Sequence, residues 1–296
     1  MEELTAQYKL NKRIKDDQFN VDLIARYTLS LQVSKDLFRI CITDSVKNRC
    51  LLLEDYQLQN IRTPDQLLEQ LGLLYEDHAL LQAGFWKDVR LAIKNTCFSL
   101  IPFSLFEKQY LKDYLHINCH FSDDNNDEVY YYRQNRLDAV NIFSADKKII
   151  EWFNLRYPSK KVKIVHHTSP LIEGVLLTGT NKQDLSVVIN VENQYMTILV
   201  KRSKNLEYCN SFNYISPEDF VYFTMFVMDQ LQINPELVPV TIFGEISPDS
   251  TLYKKLYKYI KNISFGDKPS NLHFGYNFDE VFDHKFFDLY TMHLCE

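Results

Sequence analysis

Glycine is scarce in this chain. Seven glycines occur in 296 residues, where an average globular sequence carries about three times as many. Loops that wrap phosphate groups rely on glycine, because a residue without Cβ lets backbone N–H groups close on an anion. A glycine-rich phosphate cradle is therefore not expected. A basic surplus is also missing: 33 Lys and Arg stand against 39 Asp and Glu, for a net charge of −6. Sequence-independent binding to nucleic acid draws on cationic surplus, so no nucleic-acid partner is expected. Cys41, Cys50, Cys97, Cys119, Cys209 and Cys295 form no CxxC pair. Their wide spacing, mostly within apolar runs, reads as reduced core thiols. Long hydrophobic stretches are absent too. Residues 220–228 form the longest, bounded by Asp219 and Asp229, well short of the roughly 20 residues of a membrane span. The first 20 residues have no apolar segment of the signal-peptide kind. A cytoplasmic chain without a transmembrane segment is the expectation.

Aromatic residues, by contrast, are plentiful, with 19 Tyr and 20 Phe. Residues 1–24 are polar and read as a flexible lead-in. Alternating runs at 27–34, 37–43 and 50–54 predict strands. Thr63-Pro64-Asp65 combines an N-cap, a first-turn proline and an acid, and predicts a helix to about residue 75. Residues 89–101 read as a strand and 102–114 as a helix. Strands are expected at 114–121 and within 128–143, flanking an acidic loop, then a helix at 146–156, a strand at 161–167 and a helix at 169–177. The order then repeats: strands at 184–191, 195–202 and 206–212, a helix opened by Ser216-Pro217-Glu218, a strand at 238–243 and a helix at 250–261. Three short landmarks recur at offsets near 155: Leu29-Ser30 with Leu185-Ser186, Lys47-Asn48 with Lys204-Asn205, and Thr63-Pro64-Asp65 with Ser216-Pro217-Glu218. The pattern predicts an α/β protein of two similar halves, 25–180 and 181–296, with a cleft between them. Inserted strands and the acidic loop belong to the first half, and an aromatic C-terminal segment to the second.

Three strands, helix, strand, helix, strand, helix, written twice, resembles the duplicated actin-like ATPase fold of actin, Hsp70 and sugar kinases, whose halves are ribonuclease-H-like. Residues 206–220 (LEYCNSFNYISPEDF), 239–246 (PVTIFGEI) and 99–106 (SLIPFSLF) carry a closer likeness, to an uncharacterised bacterial family of unknown function with that fold. The resemblance implies where nucleotide would be held. Active members carry an Asp-x-Gly loop in the first hairpin of each half. Here Asn190 and Glu192 stand at those positions in the second hairpin, and Gln32 and Ser34 in the first. The glycine pair usual at the adenosine site is reduced to Gly244-Glu245. A Glu192 carboxylate facing a phosphate at about 4 Å costs about 4 kcal/mol at an effective dielectric of 20. Pilus-assembly and secretion-system proteins of similar fold imply a scaffold role, by analogy of fold, beside a membrane-bound assembly.

Other motifs point less far. Residues 174–180 (GVLLTGT) have phosphate-loop spacing but no following Lys. His116, Cys119 and His120 would share a helical face as metal ligands, but the segment reads as strand. His166-His167 on a strand would face opposite ways, one buried and one exposed. Asp123, Asp124, Asp127 and Glu128 lack calcium-loop spacing and its Gly. A nuclease of related topology needs clustered carboxylates, which these hairpins do not supply. The expected protein is a non-catalytic interaction or assembly protein that binds no cofactor or metal and acts through an unknown protein partner. The alternative is an ATPase or small-molecule kinase with divergent phosphate loops. The aromatic segment 274–294 is a candidate docking element, or else it closes the second half's core.

Overall fold

A computed structural model of the chain describes residues 7–119, 126–177 and 184–296. In the first part, strands β1 (Tyr8–Lys15), β2 (Tyr27–Val33), β3 (Leu37–Asp44) and β4 (Arg49–Leu58) precede helices α1 (Pro64–Asp77) and α2 (Ala79–Gln82). Strands β5 (Asp88–Ile93) and β6 (Phe98–Pro102), helix α3 (Leu111–His116), strands β7 (Asp127–Arg133) and β8 (Ala139–Asp146), helix α4 (Lys147–Arg156), strand β9 (Lys163–His166) and helix α5 (Thr168–Leu177) follow. The second part comprises β10 (Leu185–Val191), β11 (Tyr195–Arg202), β12 (Asn205–Asn213), α6 (Pro217–Gln230), β13 (Val240–Gly244), α7 (Thr251–Leu256), β14 (Ile263–Phe265) and α8 (Phe287–Tyr290).

Two sheets share one topology. The first runs β1-β4-β3-β2-β5-β9 and the second β12-β11-β10-β13-β14. In each, an antiparallel meander is extended by two parallel strands behind its first strand. Strands β2 and β3 are buried along their whole length, as a sheet covered on both faces requires. Both long helices start on a capping box. The Thr63 hydroxyl accepts from the Gln66 N–H and the Gln66 side chain answers at the Thr63 N–H; Ser216 and Asp219 repeat the exchange. Such caps contribute about 1 kcal/mol each. Strands β2 and β10 begin and end 158 residues apart, so Gln32 pairs with Asn190 and Ser34 with Glu192, as the hairpin reading has it. The Leu29–Leu185 landmark is two residues out of this register.

Several local expectations give way. Residues 8–15 are not a free lead-in but an edge strand, paired antiparallel with β4 and tied to it by Arg13 Nε on Glu54 (2.7 Å). Only Ile14 is buried there; Lys9, Lys12, Arg13 and Lys15 give the polar composition that protects an edge and that hid the strand. The run 89–101 divides at Asn95. Its Oδ1 accepts from the Cys97 N–H and its Nδ2 donates to the Ser144 carbonyl, and the chain turns into a separate three-stranded sheet, β6-β8-β7. Residues 102–114 form short 3-10 turns and the start of α3, and α3 occupies part of the stretch expected as strand. That helix packs on β6 and β8, which brings Cys119 to Cys97 (Cα–Cα 5.3 Å), and the two form a disulfide. Two of the six cysteines are thus not reduced thiols; Cys41, Cys50, Cys209 and Cys295 are free. Strand β14 was too short to read in sequence. His120, Asp123, Asp124 and residues 178–180 of the GVLLTGT stretch lie outside the described residues. Among those described, no helix is long and apolar enough to cross a membrane.

The aromatic C-terminal segment packs mainly on the first sheet and only in part on the second half's core. Leu272, Phe278, Phe286, Leu289, Tyr290 and Met292 are buried against Ile14, Cys41, Cys50, Leu53, Ala92 and Val165 of the first sheet. Phe287 reaches the other way, to Val188, Leu199 and Phe243 of the second sheet and to α5. The segment is a wedge between the two sheets, which is why its aromatic rings are mostly buried. Replacing fully buried Phe278 by Ala should cost about 3–5 kcal/mol, measured by urea denaturation. Truncation before Asn271 should give insoluble protein; a folded, soluble truncation would contradict this packing.

Candidate functional site

The two hairpin tips face a cavity of about 530 Å³ whose walls come from both parts of the chain, with Ser34, Lys35, Arg39, Lys94, Asn95, Glu192, Tyr195 and Glu245 among them. Strand β5 closes on the buried apolar residues Leu91, Ala92 and Ile93, so Lys94 emerges at its end with its stem already enclosed. Its side chain is 1% exposed. The ammonium sits 2.8 Å from Glu192 Oε1 and 2.7 Å from Asp288 Oδ2. Glu192 follows β10, and Asp288 belongs to α8 of the wedge. One cation therefore joins the first sheet, the second hairpin and the C-terminal segment.

Polar neighbours complete the cluster. Gln32 Nε2 donates to Asp288 Oδ2 at 2.9 Å, and Asn190 Nδ2 donates to Glu192 Oε1 at 3.0 Å. Tyr214 donates its hydroxyl to the Glu192 carbonyl. Burial would strip the proton from Lys94, but Asp288 and Glu192 more than offset it and raise its pKa. Burial alone would raise the Asp288 pKa; Lys94 and His167 override this and hold it down to about 2. For Glu192, burial prevails, aided by Asp288, and pushes its carboxyl upward.

His167 lies beneath. Its Nε2–H donates to the Asn95 carbonyl at 3.1 Å, leaving Nδ1 4.0 Å from Asp288 Oδ2 without a hydrogen bond. His166 bonds the same carbonyl through Nε2 and Thr168 Oγ1 through Nδ1. Both rings have no exposed surface, against the expectation of one buried and one exposed. The strand ends at His166, so alternation stops there and His167 folds under the site as the chain enters α5. Burial is the main cause that keeps both imidazoles neutral, with the His167 pKa at about 3.

A second bridge parallels the first. Arg39 of β3 reaches Glu245 Oε1 at 2.5 Å and Asp55 at 2.6 Å, and Lys285 holds the other Glu245 oxygen at 2.9 Å. Gly244 has φ +93°, and a Cβ there would lie 2.1 Å from the Val191 carbonyl oxygen, so only glycine fits this strand end.

Of the residues expected at nucleotide positions, Gln32, Asn190 and Glu192 converge on Lys94. Ser34 does not: its hydroxyl closes its own turn on Asp36 and the Leu37 N–H. Glu245 points to Arg39 rather than to an open adenosine pocket. Lys94, Asp288 and Arg39 were missed in the sequence. The available signal was a charge directly after the apolar stretch Leu91-Ala92-Ile93, and a single acid inside the aromatic run KFFDLY. His167, Glu192 and Asp288 offer donor atoms within 4.8 Å of one another, a set of metal-ligand type. The cation placed on its two carboxylates is the Lys94 ammonium.

Two hairpin-led sheets of one topology with a cavity between their tips define the class: an actin-like ATPase fold. Residues 16–263 match the family described as Protein of unknown function (DUF3822), and the chain belongs to that family. Among solved structures, it is similar to a Bacteroides thetaiotaomicron VPI-5482 protein of actin-like ATPase fold and unknown function, at 22% identity and TM-score 0.80, over 94% of this chain and 100% of that one. The PilM–PilN type IV pilus biogenesis complex contains a similar chain, at 11% identity and TM-score 0.60, over 90% and 97%. The ethanolamine utilization protein EutJ of Carboxydothermus hydrogenoformans follows at 6% and 0.51, over 96% and 93%. No curated protein matches the chain.

Lys94→Met should cost about 3–5 kcal/mol, because it leaves two buried carboxylates without their cation. Adding Glu192→Gln and Asp288→Asn should recover part of that loss in urea titrations. The neutral histidines set a pH dependence. The unfolded chain protonates near pH 6.5 while the folded His167 does not until about 3, so its contribution is complete above 6.5 and declines as pH falls toward 3. The slope is about 1.4 kcal/mol per pH unit. Glu192, with its raised pKa, acts in the opposite sense but is common to both proteins compared. His167→Asn should therefore flatten the stability slope between pH 6 and 4.5 relative to the unsubstituted protein; equal slopes would refute the assignment.

Proposed function

We propose that this chain is a non-catalytic actin-like-fold protein that serves as an interaction or assembly component. The observation that carries the reading is the Lys94 ammonium buried between Glu192 and Asp288, at the hairpin tips where the resemblance to actin-like ATPases implies phosphate and metal. Nucleotide bound there would meet the Glu192 carboxylate in place of a glycine. Any metal would have to displace an ammonium that two carboxylates keep charged. No nucleophile is freed by the arrangement: both carboxylates are engaged by Lys94, and the Ser34 hydroxyl is engaged in its turn. The pilus-biogenesis complex of PilM with PilN supports an assembly role by fold analogy, with a protein as the partner.

The competing reading is an ATPase or small-molecule kinase with divergent loops, and the cavity of about 530 Å³ is the feature in its favour. Incubation with Mg²⁺ and ATP separates the two. The proposed reading expects no phosphate release above the blank and no change in melting temperature. Ligand at a thousandfold excess over its dissociation constant would stabilise the fold by about 4 kcal/mol, so a clear nucleotide-dependent shift would sink the proposal even without turnover.

A further inference from the structure

The small sheet β6-β8-β7 has two apolar faces. Phe143 and Ala145 of β8 belong to the main core of the first part. Val140 and Ile142 alternate with them along the strand and point the other way, where their buried partner is Leu115 of α3. Segment 102–118 covers this second face, and Leu115 is its one buried residue. The helix in it is six residues long and has no side-chain cap, and neither have the two 3-10 turns before it. A helix that short does not hold its shape alone in water. The segment therefore depends on how its ends are tied. At its start, the Phe103 N–H donates to the Asp138 carbonyl at 3.0 Å, and the Arg133 guanidinium lies 3.7 Å from the centre of the Phe103 ring. At its end, Asn118 Nδ2 donates to the Phe98 carbonyl at a long 3.4 Å, and Cys119 is bonded to Cys97 across a separation of 22 residues. The disulfide is the strong tie of the two.

That bond is within reach of solvent. Cys97 and Cys119 are both half-buried, and Cys97 lines a cavity of about 590 Å³. Cys41 and Cys50 make the contrast: their sulfurs lie 3.6 Å apart with no exposed surface, and both are free thiols. Exposed disulfides are the ones that exchange with small thiols. The Cys97 side of the bond is anchored independently of it. Its N–H donates to Asn95 Oδ1 at 2.9 Å, and its carbonyl accepts from the Ser144 N–H at 3.3 Å. Opening the bond therefore frees Cys119 and the segment before it, and leaves β6 in place. We propose that Cys97–Cys119 is a thiol-reducible latch, which holds residues 102–118 over Val140 and Ile142 and uncovers them when reduced. The thiolate of a small thiol such as glutathione attacks one sulfur and forms a mixed disulfide, and the other sulfur leaves as a thiolate that takes up a proton. A second thiol attacks the mixed disulfide, releasing the second protein thiol and glutathione disulfide. Glutathione disulfide drives the reverse sequence and closes the latch. The device is independent of the hairpin cleft and of the reading given to it.

Incubation of the folded full chain with excess reduced glutathione tests the proposal. Thiols counted after quenching and denaturation should rise from four to six. Hydrogen exchange read peptide by peptide should show protection within 103–118 falling roughly thirtyfold or more, the lower end of what a disulfide contributes, while α1 and β2 keep theirs. Binding of an apolar dye should rise in parallel, and glutathione disulfide should reverse both changes. Cys119→Ser should give the released pattern with or without thiol. If that variant does not fold, the exchange comparison on the unsubstituted chain decides alone. A bond that is reduced only after denaturation, protection in 103–118 unchanged by reduction, or protection lost across the whole chain would each overturn the latch.

Discussion

A lysine ammonium with 1% of its side chain exposed, held between two carboxylates, is the interaction on which this architecture depends. Lys94 comes from the first sheet, Glu192 from the second hairpin and Asp288 from the C-terminal wedge. Desolvating three charges is expensive, and only close ion pairing with further hydrogen bonds offsets it. Gln32 and Asn190 supply those bonds. The cluster is weak as a source of net stability but demanding in geometry, because removing one member strands the rest. It fixes how three distant segments meet.

A ligand held in the cavity, whose walls come from both parts of the chain, would bridge them reversibly. On the proposed reading, the bridge here is part of the chain. Lys94 supplies the positive charge, and the Arg39–Glu245–Lys285 set supplies a second connection across the same cleft. The aromatic wedge packs on the first sheet through Phe278 and Tyr290 and on the second through Phe287. Covalent residues in place of a dissociable ligand would favour one arrangement of the sheets, and a fixed arrangement suits a component that others assemble upon.

Much of the fold was legible because it rests on local signals. The capped helices at Thr63 and Ser216, the buried strands β2 and β3, and the repeated order follow from side-chain alternation and N-terminal capping. Strand β1 was not legible, because an edge strand stabilised by its ladder to β4 needs no apolar alternation. The break after Ile93 was hidden for a related reason. Asn95 turns the chain by bonding the Ser144 carbonyl, 49 residues further on, and no local pattern announces such a partner.

The candidate site divides along the same line. Sequence alone determined that the hairpins carry Gln32 and Ser34, and Asn190 and Glu192, with no Asp-x-Gly triplet at either place. It also determined the element order from which an actin-like topology could be inferred. Only tertiary structure decided what those residues do instead. Lys94 and Asp288 are 194 positions apart, and each looks in sequence like an isolated charge in an apolar run. Their meaning comes from being brought together in a place too dry for either to remain charged alone.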